Sequence, residues 1–381
     1  MGRRFLATAL VLSGVVAGCA ADDRALATHA FRPGYLADKL AVVHLSTQSY
    51  ETRQHGRTVF VRQDGTAEVF RTGGLDMGKL AADARRSVQV SELNGDTVVG
   101  QGGGTFPRDR QMIGFFAAWL PRAGYVTLFN AGQEANPAGY RFDARWRAAG
   151  APRDASVPRY LIAAGACGDD VYAVAEHHGS HTRATHPVEL LRLRFGERLS
   201  VTTVARWTRT ADTFGTVLGR LGCAGAAVHF WYETATARPV AAVGSIDLRT
   251  GAVSRRVVRR YADRDEQTDH DSWHVDRSTH LHDGQLYHLD GQGGITAVAL
   301  DSGAVRRNVA LPLPPYRVGM ALTYWTGHTL WVLHQPPDLA EPATLSGYDA
   351  NSGAPLRHLR VRGLGALIEE GVMPHDLLVF G

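Results

Sequence analysis

Cysteine is scarce in this chain, with 3 among 381 residues. That excludes a disulfide-stapled scaffold, because at most one intramolecular bridge can form. Lysine is nearly absent: Lys39 and Lys79 are the two lysines, and every other basic side chain is arginine. The net charge is only +4. The arginines are scattered and carry no interleaved aromatic platforms, which argues against a nucleic-acid surface. Long amphipathic helical patterns are missing after the first nineteen residues. No second apolar run there reaches membrane-spanning length. A Gly-x-Ser-x-Gly elbow is absent, so serine hydrolysis of that type has no support. Gly102-Gly103-Gly104 is followed by no Lys-Ser/Thr pair and no helical pattern, so it is no phosphate loop.

What is present begins at the N-terminus. Arg3 and Arg4 precede an apolar run from Phe5 to Val16, which ends in Val16-Ala17-Gly18-Cys19. The run is too short to span a bilayer and closes on small residues, as a signal peptide does. The tripeptide before cysteine resembles a bacterial lipobox. That resemblance implies that Cys19 is lipidated and becomes the mature N-terminus. The expected organisation is a signal peptide over 1–18, a lipidated tether over 19–32 and one domain over 33–381. The expected location is the extracytoplasmic face of the cell membrane. The arginine bias looks like that of a GC-rich, actinomycete-like genome.

Short runs of β-branched, aromatic and leucine residues recur along the mature chain, separated by Gly, Asp, Asn and Pro. One hairpin phrase repeats: Ile246–Val253, Ala299–Val305 and Tyr348–Pro355. Its glycines, Gly251, Gly303 and Gly353, lie 52 and 50 residues apart. A tight strand-to-strand turn needs positive φ there, which glycine adopts without Cβ strain. Leu193–Leu199 is a worn copy 55 residues upstream, counting glycine to glycine. A second strand precedes each phrase, at Asp170–Val174, Ala227–Tyr232, Gln285–Leu289 and Thr329–Leu333. A four-stranded unit repeating near fifty residues predicts an all-β propeller. Four blades read as 158–209, 212–262, 273–313 and 317–362, and the remaining residues predict three more. Asp376–Phe380 is expected to join N-terminal strands such as Lys39–Leu45 in a shared blade, which closes the ring. Residues 102–110 read as a loop.

The phrase of strand, Asp, Ser/Thr-Gly and strand resembles the pyrroloquinoline-quinone-type and related seven-bladed repeats. That family commonly carries an adjacent cysteine pair and tryptophan docking motifs in fixed phase. Neither is found here, so the resemblance implies the scaffold and not the quinone.

Two histidine-rich segments carry the candidate chemistry. His177, His178, His181 and His186 lie between the second and third strands of one blade. Asp263–His274, which includes Asp269, His270 and His274, links the next blade to the one after. Both connections emerge on one face of a propeller, so His177, His181, Asp269, His270 and His274 are the expected ligands if a divalent metal binds. A solvated acidic loop without metal is the competing reading. His280 and His282 share one side of a predicted inner strand. Cys167 and Cys223 each stand just before a second strand in consecutive blades, so equivalent turns place them within disulfide range.

The resulting expectation is a monomeric, lipid-anchored propeller that binds a protein, peptide or envelope glycan through inter-blade loops. The alternative is a metal-assisted enzyme, lactonase- or lyase-like, at the His/Asp face. Anchoring is directly testable. Cys19→Ala should move the protein from the membrane fraction to the soluble fraction or block its maturation. Wild-type fractionation and migration on gels would refute the lipidation of Cys19.

Overall fold

A computed structural model of the chain describes residues 28–83, 86–111, 113–133, 139–148, 150–176, 185–210, 216–234, 236–270, 277–314 and 318–381. They form seven four-stranded antiparallel sheets arranged as a propeller. Blade 1 combines both ends of the chain: β1 (Lys39–Ser46), β2 (Gly56–Arg62) and β3 (Ala67–Thr72) are joined by the last strand, β28 (Met373–Val379). Blade 2 holds β4 (Leu80–Ala82), β5 (Val88–Glu92), β6 (Gly95–Val99) and β7 (Gly104–Pro107). Blade 3 holds β8 (Ile113–Leu120), β9 (Gly124–Gln133), β10 (Tyr140–Arg147) and β11 (Arg153–Val157). Blade 4 holds β12 (Tyr160–Cys167), β13 (Asp170–Glu176), β14 (Thr185–Phe195) and β15 (Leu199–Thr210). Blade 5 holds β16 (Thr216–Ala224), β17 (Ala227–Glu233), β18 (Val240–Asp247) and β19 (Val253–Arg260). Blade 6 holds β20 (Thr279–His282), β21 (Gln285–Leu289), β22 (Gly294–Ala299) and β23 (Val305–Ala310). Blade 7 holds β24 (Met320–Thr326), β25 (Thr329–Gln335), β26 (Ala343–Asp349) and β27 (Pro355–Val361). The four blades read from the repeat coincide with blades 4 to 7, and the terminal strands close the ring as expected.

The repeated glycines have one structural role. Gly251, Gly303 and Gly353 have φ of 71°, 69° and 75°. Each donates its N–H four residues back, to the carbonyls of Asp247, Ala299 and Asp349 at 2.7–2.8 Å. They therefore occupy the same turn between third and fourth strands. Asp247 and Asp349 cap that turn by accepting the following backbone N–H groups. In blade 6 the cap has moved to Asp301, which accepts from Ser302.

Two stretches differ from the sequence reading. Residues 102–110 contain β7 rather than only a loop. This strand is the outer edge of its blade, where Pro107 costs no ladder hydrogen bond and a four-residue strand suffices. Part of the Asp263–His274 segment is helical, as α1 (Arg264–Asp269). A second short helix, α2 (Leu364–Glu369), buries Leu364, Leu367 and Ile368 beneath the closing strand.

The core is divided among the blade interfaces. Each adjacent pair encloses its own apolar cluster, from Val42, Phe60 and Val90 between blades 1 and 2 to Leu45, Leu333 and Leu377 between blades 7 and 1. The second strands lie deepest: every residue of β1 and β13 is buried. Both faces of these strands pack against neighbours, hence their continuous apolar character. The cluster between blades 2 and 3 is the smallest, built on Ala81, Val98, Ala117 and Tyr125. Polar side chains complete that interface. Gln89 donates to Thr127 Oγ1 at 2.7 Å, and Arg145 pairs with Asp96 at 2.8 Å.

The centre of the ring is held by Asp376 on β28. Its carboxylate receives Arg277 Nε and Nη2 at 2.6 and 2.8 Å and the Leu80 N–H of β4 at 2.8 Å. Burial raises the Asp376 carboxyl, but Arg277, with Lys79 and Arg220 nearby, more than reverses this and holds it well below the usual range. Its stabilisation is therefore complete above the unfolded value near 3.9 and is lost only as pH falls below it. Asp376→Asn should destabilise the fold by about 3–5 kcal/mol, because Arg277 is left buried without its counter-charge. Urea denaturation at pH 7 checks this, and a loss under 1 kcal/mol would put the pair on a par with a surface salt bridge.

Candidate functional site

Alternation of strand direction sorts the connections onto two faces. Turns between first and second strands, and between third and fourth, share one face. The remaining connections share the other, here termed the loop face. The ends of β13 and β14 that bracket His177 and His181, and those of β19 and β20 that bracket His274, all point to the loop face. His177, His181 and His274 themselves lie outside the described residues, as does Cys19.

Asp269 and His270 end α1 on that face. Asp263 caps the helix by accepting the Glu266 N–H at 2.9 Å. Gln267 fastens it to blade 5 by donating to Glu233 Oε2 and the Thr234 carbonyl. His270 reaches Asp290 Oδ2 through Nδ1 at 2.9 Å, and Arg259 Nη2 approaches its Nε2 at 2.8 Å. The Asp269 carbonyl accepts from Gln292. Much of this charge-rich segment is thus used to dock the helix across blades 5 and 6.

Beneath it lies a small cavity of about 90 Å³, lined by Trp231, Arg259, Tyr261, His288 and Asp290. His288 is 2 % exposed and stacks on Trp231 at 4.2 Å between ring centroids. Burial pushes its pKa down to about 3.

A much larger cleft of about 630 Å³ opens on the same face where blades 2 and 3 meet. Arg110, Gln111, Asn130, Tyr140, Arg141 and Asp143 are among its walls. Asp143 is fixed by Gln111 at 2.8 Å and by Ser156 at 3.0 Å, and it pairs with Arg141 at 3.1 Å. Beneath this rim, Arg108 stacks over the Phe129 ring at 4.2 Å. Burial pushes the Asp96 carboxyl up, against the pull of Arg108 and Arg145. The walls alternate charged, amide and phenol groups, which suits a polar ligand with several hydrogen-bonding groups. Sequence reading did not find this cleft, since the residues come from connections in blades without the glycine phrase. The alternating charges of Arg108-Asp109-Arg110 were its only local signal.

On the opposite face, the structure confirms the expected bridge: Cys167 and Cys223 form a disulfide with Cα atoms 5.7 Å apart, joining blades 4 and 5. Farther round that face, His282, Asp283 and His328 bring three potential ligand atoms within 4.8 Å of one another. His280, on the same strand as His282, stacks on Trp325 and meets the Gly327 carbonyl at 3.1 Å.

The family described as "YycP, beta-propeller domain" matches residues 34–380. The Bacillus subtilis (strain 168) protein YycP is 23 % identical over 290 residues, covering 74 % of this chain and 72 % of the relative. Among solved structures, cobalt-substituted apocarotenoid oxygenase from Synechocystis superposes with a TM-score of 0.51. It is 10 % identical over 90 % of this chain and 93 % of its own. AztD from Citrobacter koseri gives a TM-score of 0.43 at 10 % identity over 90 % and 98 %. Such likenesses concern the fold alone.

The buried histidine predicts an acid response. Between about pH 3 and the ordinary imidazole value near 6.5, the unfolded chain binds a proton that folded His288 refuses. Stability should therefore fall as pH falls through that window. His288→Phe keeps a stacking ring and should remove about 2 kcal/mol of the stability lost between pH 7 and pH 5. Urea midpoints at the two pH values measure this, and an unchanged pH slope would contradict it.

Proposed function

This chain belongs to the YycP β-propeller family, and we propose that it is a lipid-anchored, extracytoplasmic protein that binds a peptide, protein or envelope-glycan segment in the cleft between blades 2 and 3. The carrying observation is the 630 Å³ cleft itself, walled by charged, amide and phenol groups and opening between the two blades whose shared apolar cluster is the smallest of the seven. Six interfaces rest chiefly on larger apolar clusters. At this one, buried hydrogen-bonding side chains extend outward to a polar rim. Such a wall recognises a ligand by directional contacts and asks for no covalent step. The lipobox-like Val16–Cys19 and the oxidised Cys167–Cys223 pair support an extracytoplasmic site of action, since disulfides persist in oxidising compartments. The protein acts as a monomer held at the membrane by its acyl chains, which places the loop face among envelope components.

The test is cosedimentation of the purified chain with isolated sacculi and pull-down from solubilised envelope protein, carried out in parallel. Arg110 is exposed and Tyr140 half-buried on the cleft wall. Arg110→Ala combined with Tyr140→Ala should weaken binding at least about tenfold, the scale of one or two interface contacts. Equal binding by the double variant, or no binding to either fraction by the wild type, would overturn the assignment.

A further inference from the structure

We propose that His282, Asp283 and His328 form a binding site for a borderline divalent metal ion of the Zn²⁺ class, and that the ion clasps blade 6 to blade 7. The three residues come from equivalent turns. His282 ends β20 and Asp283 begins the turn to β21, whereas His328 sits in the turn between β24 and β25. Asp283 adopts φ of 46° and Gly284 φ of 70°, a turn that lifts the carboxylate beside both imidazoles.

The distances fit a tetrahedral ion. Nε2 of His282 lies 3.4 Å from Asp283 Oδ2, and Nε2 of His328 lies 3.3 Å from the same oxygen. Ligand atoms about 2.0–2.1 Å from a tetrahedral centre are separated by roughly 3.3–3.4 Å. The third separation is within 4.8 Å. The imidazoles meet edge to face, with ring centroids 4.5 Å apart.

A second layer orients one ligand. Tyr287 Oη donates to Asn351 Oδ1 at 3.2 Å, so its oxygen is left to accept from His328 Nδ1 at 3.0 Å. With the proton on Nδ1, the Nε2 lone pair faces the Asp283 carboxylate. Two electron pairs at 3.3 Å repel unless a cation or a proton lies between them. A hydrogen-bonded, oriented imidazole of this kind is what metal sites use. Two imidazoles and one carboxylate select first-row divalent ions over Ca²⁺ and Mg²⁺, which want oxygen ligands. The site is open to solvent: the side chains of His282, Asp283 and His328 are 35 %, 69 % and 36 % exposed. The clasp would stand on the same face as the disulfide and do for blades 6 and 7 what Cys167–Cys223 does for blades 4 and 5. Its place is remote from the cleft, so it holds or fails independently of the function proposed above.

The experiment is calorimetric titration of the full, chelator-stripped chain with Zn²⁺ alone. One equivalent should bind and raise the melting temperature, and excess Ca²⁺ should not compete. His328→Ala should weaken that binding at least tenfold, and Tyr287→Phe roughly 10-fold or more through the second layer. Asp283→Asn keeps a residue that tolerates the left-handed turn and serves where a histidine variant misfolds. It should also weaken binding at least tenfold. Absence of stoichiometric Zn²⁺ binding would overturn the proposal. So would an affinity unchanged in folded His328→Ala or Asp283→Asn, because the ion would then sit elsewhere.

Discussion

A propeller closed by a non-covalent strand depends on what holds that strand, and here the holder is one buried ion pair. Asp376 lies on β28, the strand that must return from the C-terminus to complete blade 1. Its carboxylate takes Arg277 from the entry to blade 6 and the Leu80 amide from blade 2. The Arg277 carbonyl in turn accepts Trp325 Nε1 at 2.9 Å and Thr323 Oγ1 at 3.2 Å from blade 7. Four blades therefore meet through two residues. A pair of this kind contributes little as an isolated attraction, since desolvation offsets much of it. Its value lies in asymmetry: strand β28 in any other register parts two buried charges. The ion pair thus specifies the closure that the pairing of β1 with β28 then completes.

Around that centre the inner strands approach closely, and glycine marks where. A Cβ on Gly165 of β12 would come within 2.0 Å of the Leu221 carbonyl on β16. One on Gly222 would come within 2.6 Å of Leu281 on β20. Neighbouring blades are therefore in backbone contact near the axis and diverge outward, with the spreading wedge filled by apolar side chains. Where the wedge is filled by polar ones instead, between blades 2 and 3, space remains at the rim. The buried polar residues of that interface reach the cleft through two ion pairs, Asp96 with Arg108 and Arg145 with Asp154.

Blades 5 to 7 were legible because their third-to-fourth-strand turns obey one rule, glycine at positive φ every fifty residues or so, and blade 4 from Gly196 at the equivalent turn, which lacks the positive φ. Blade 2 was not, because β4 has three residues, β7 has four, and its turns carry no equivalent phrase. The closing strand was legible from its apolar run, whereas α2, which leads into it, is too short to show a helical period. The cysteine pair was found by an argument from equivalence, that two residues in the same turn of consecutive blades come together. Equivalent turns of consecutive blades likewise bring His282 to His328. Alternation alone drew attention to His280 and His282 on one strand, and their partner stands 46 residues farther on. No composition signal joins these residues. Only the blade register does.

Register also explains why the two faces differ in character. In blades 4 to 7 the turns between first and second strands have only two residues each, which leaves little room for variation, so neighbouring turns there meet at similar distances. Such a face suits cross-links, whether through sulfur or through shared ligands, because each bridge needs geometry within a few tenths of an ångström. The loop face has the opposite property. Its connections differ in length from blade to blade, from the two residues between β5 and β6 to the eighteen between β19 and β20. Variation there costs the ring little, since loop length enters stability only logarithmically. A family that keeps one scaffold can therefore change what it recognises on the loop face while the other face preserves the spacing of the blades. In this chain the segment from Asp263 to His270 shows the limit of that freedom. Glu266 and His270 are drawn into docking α1 on blades 5 and 6, and among the described residues no helix lines the open cleft.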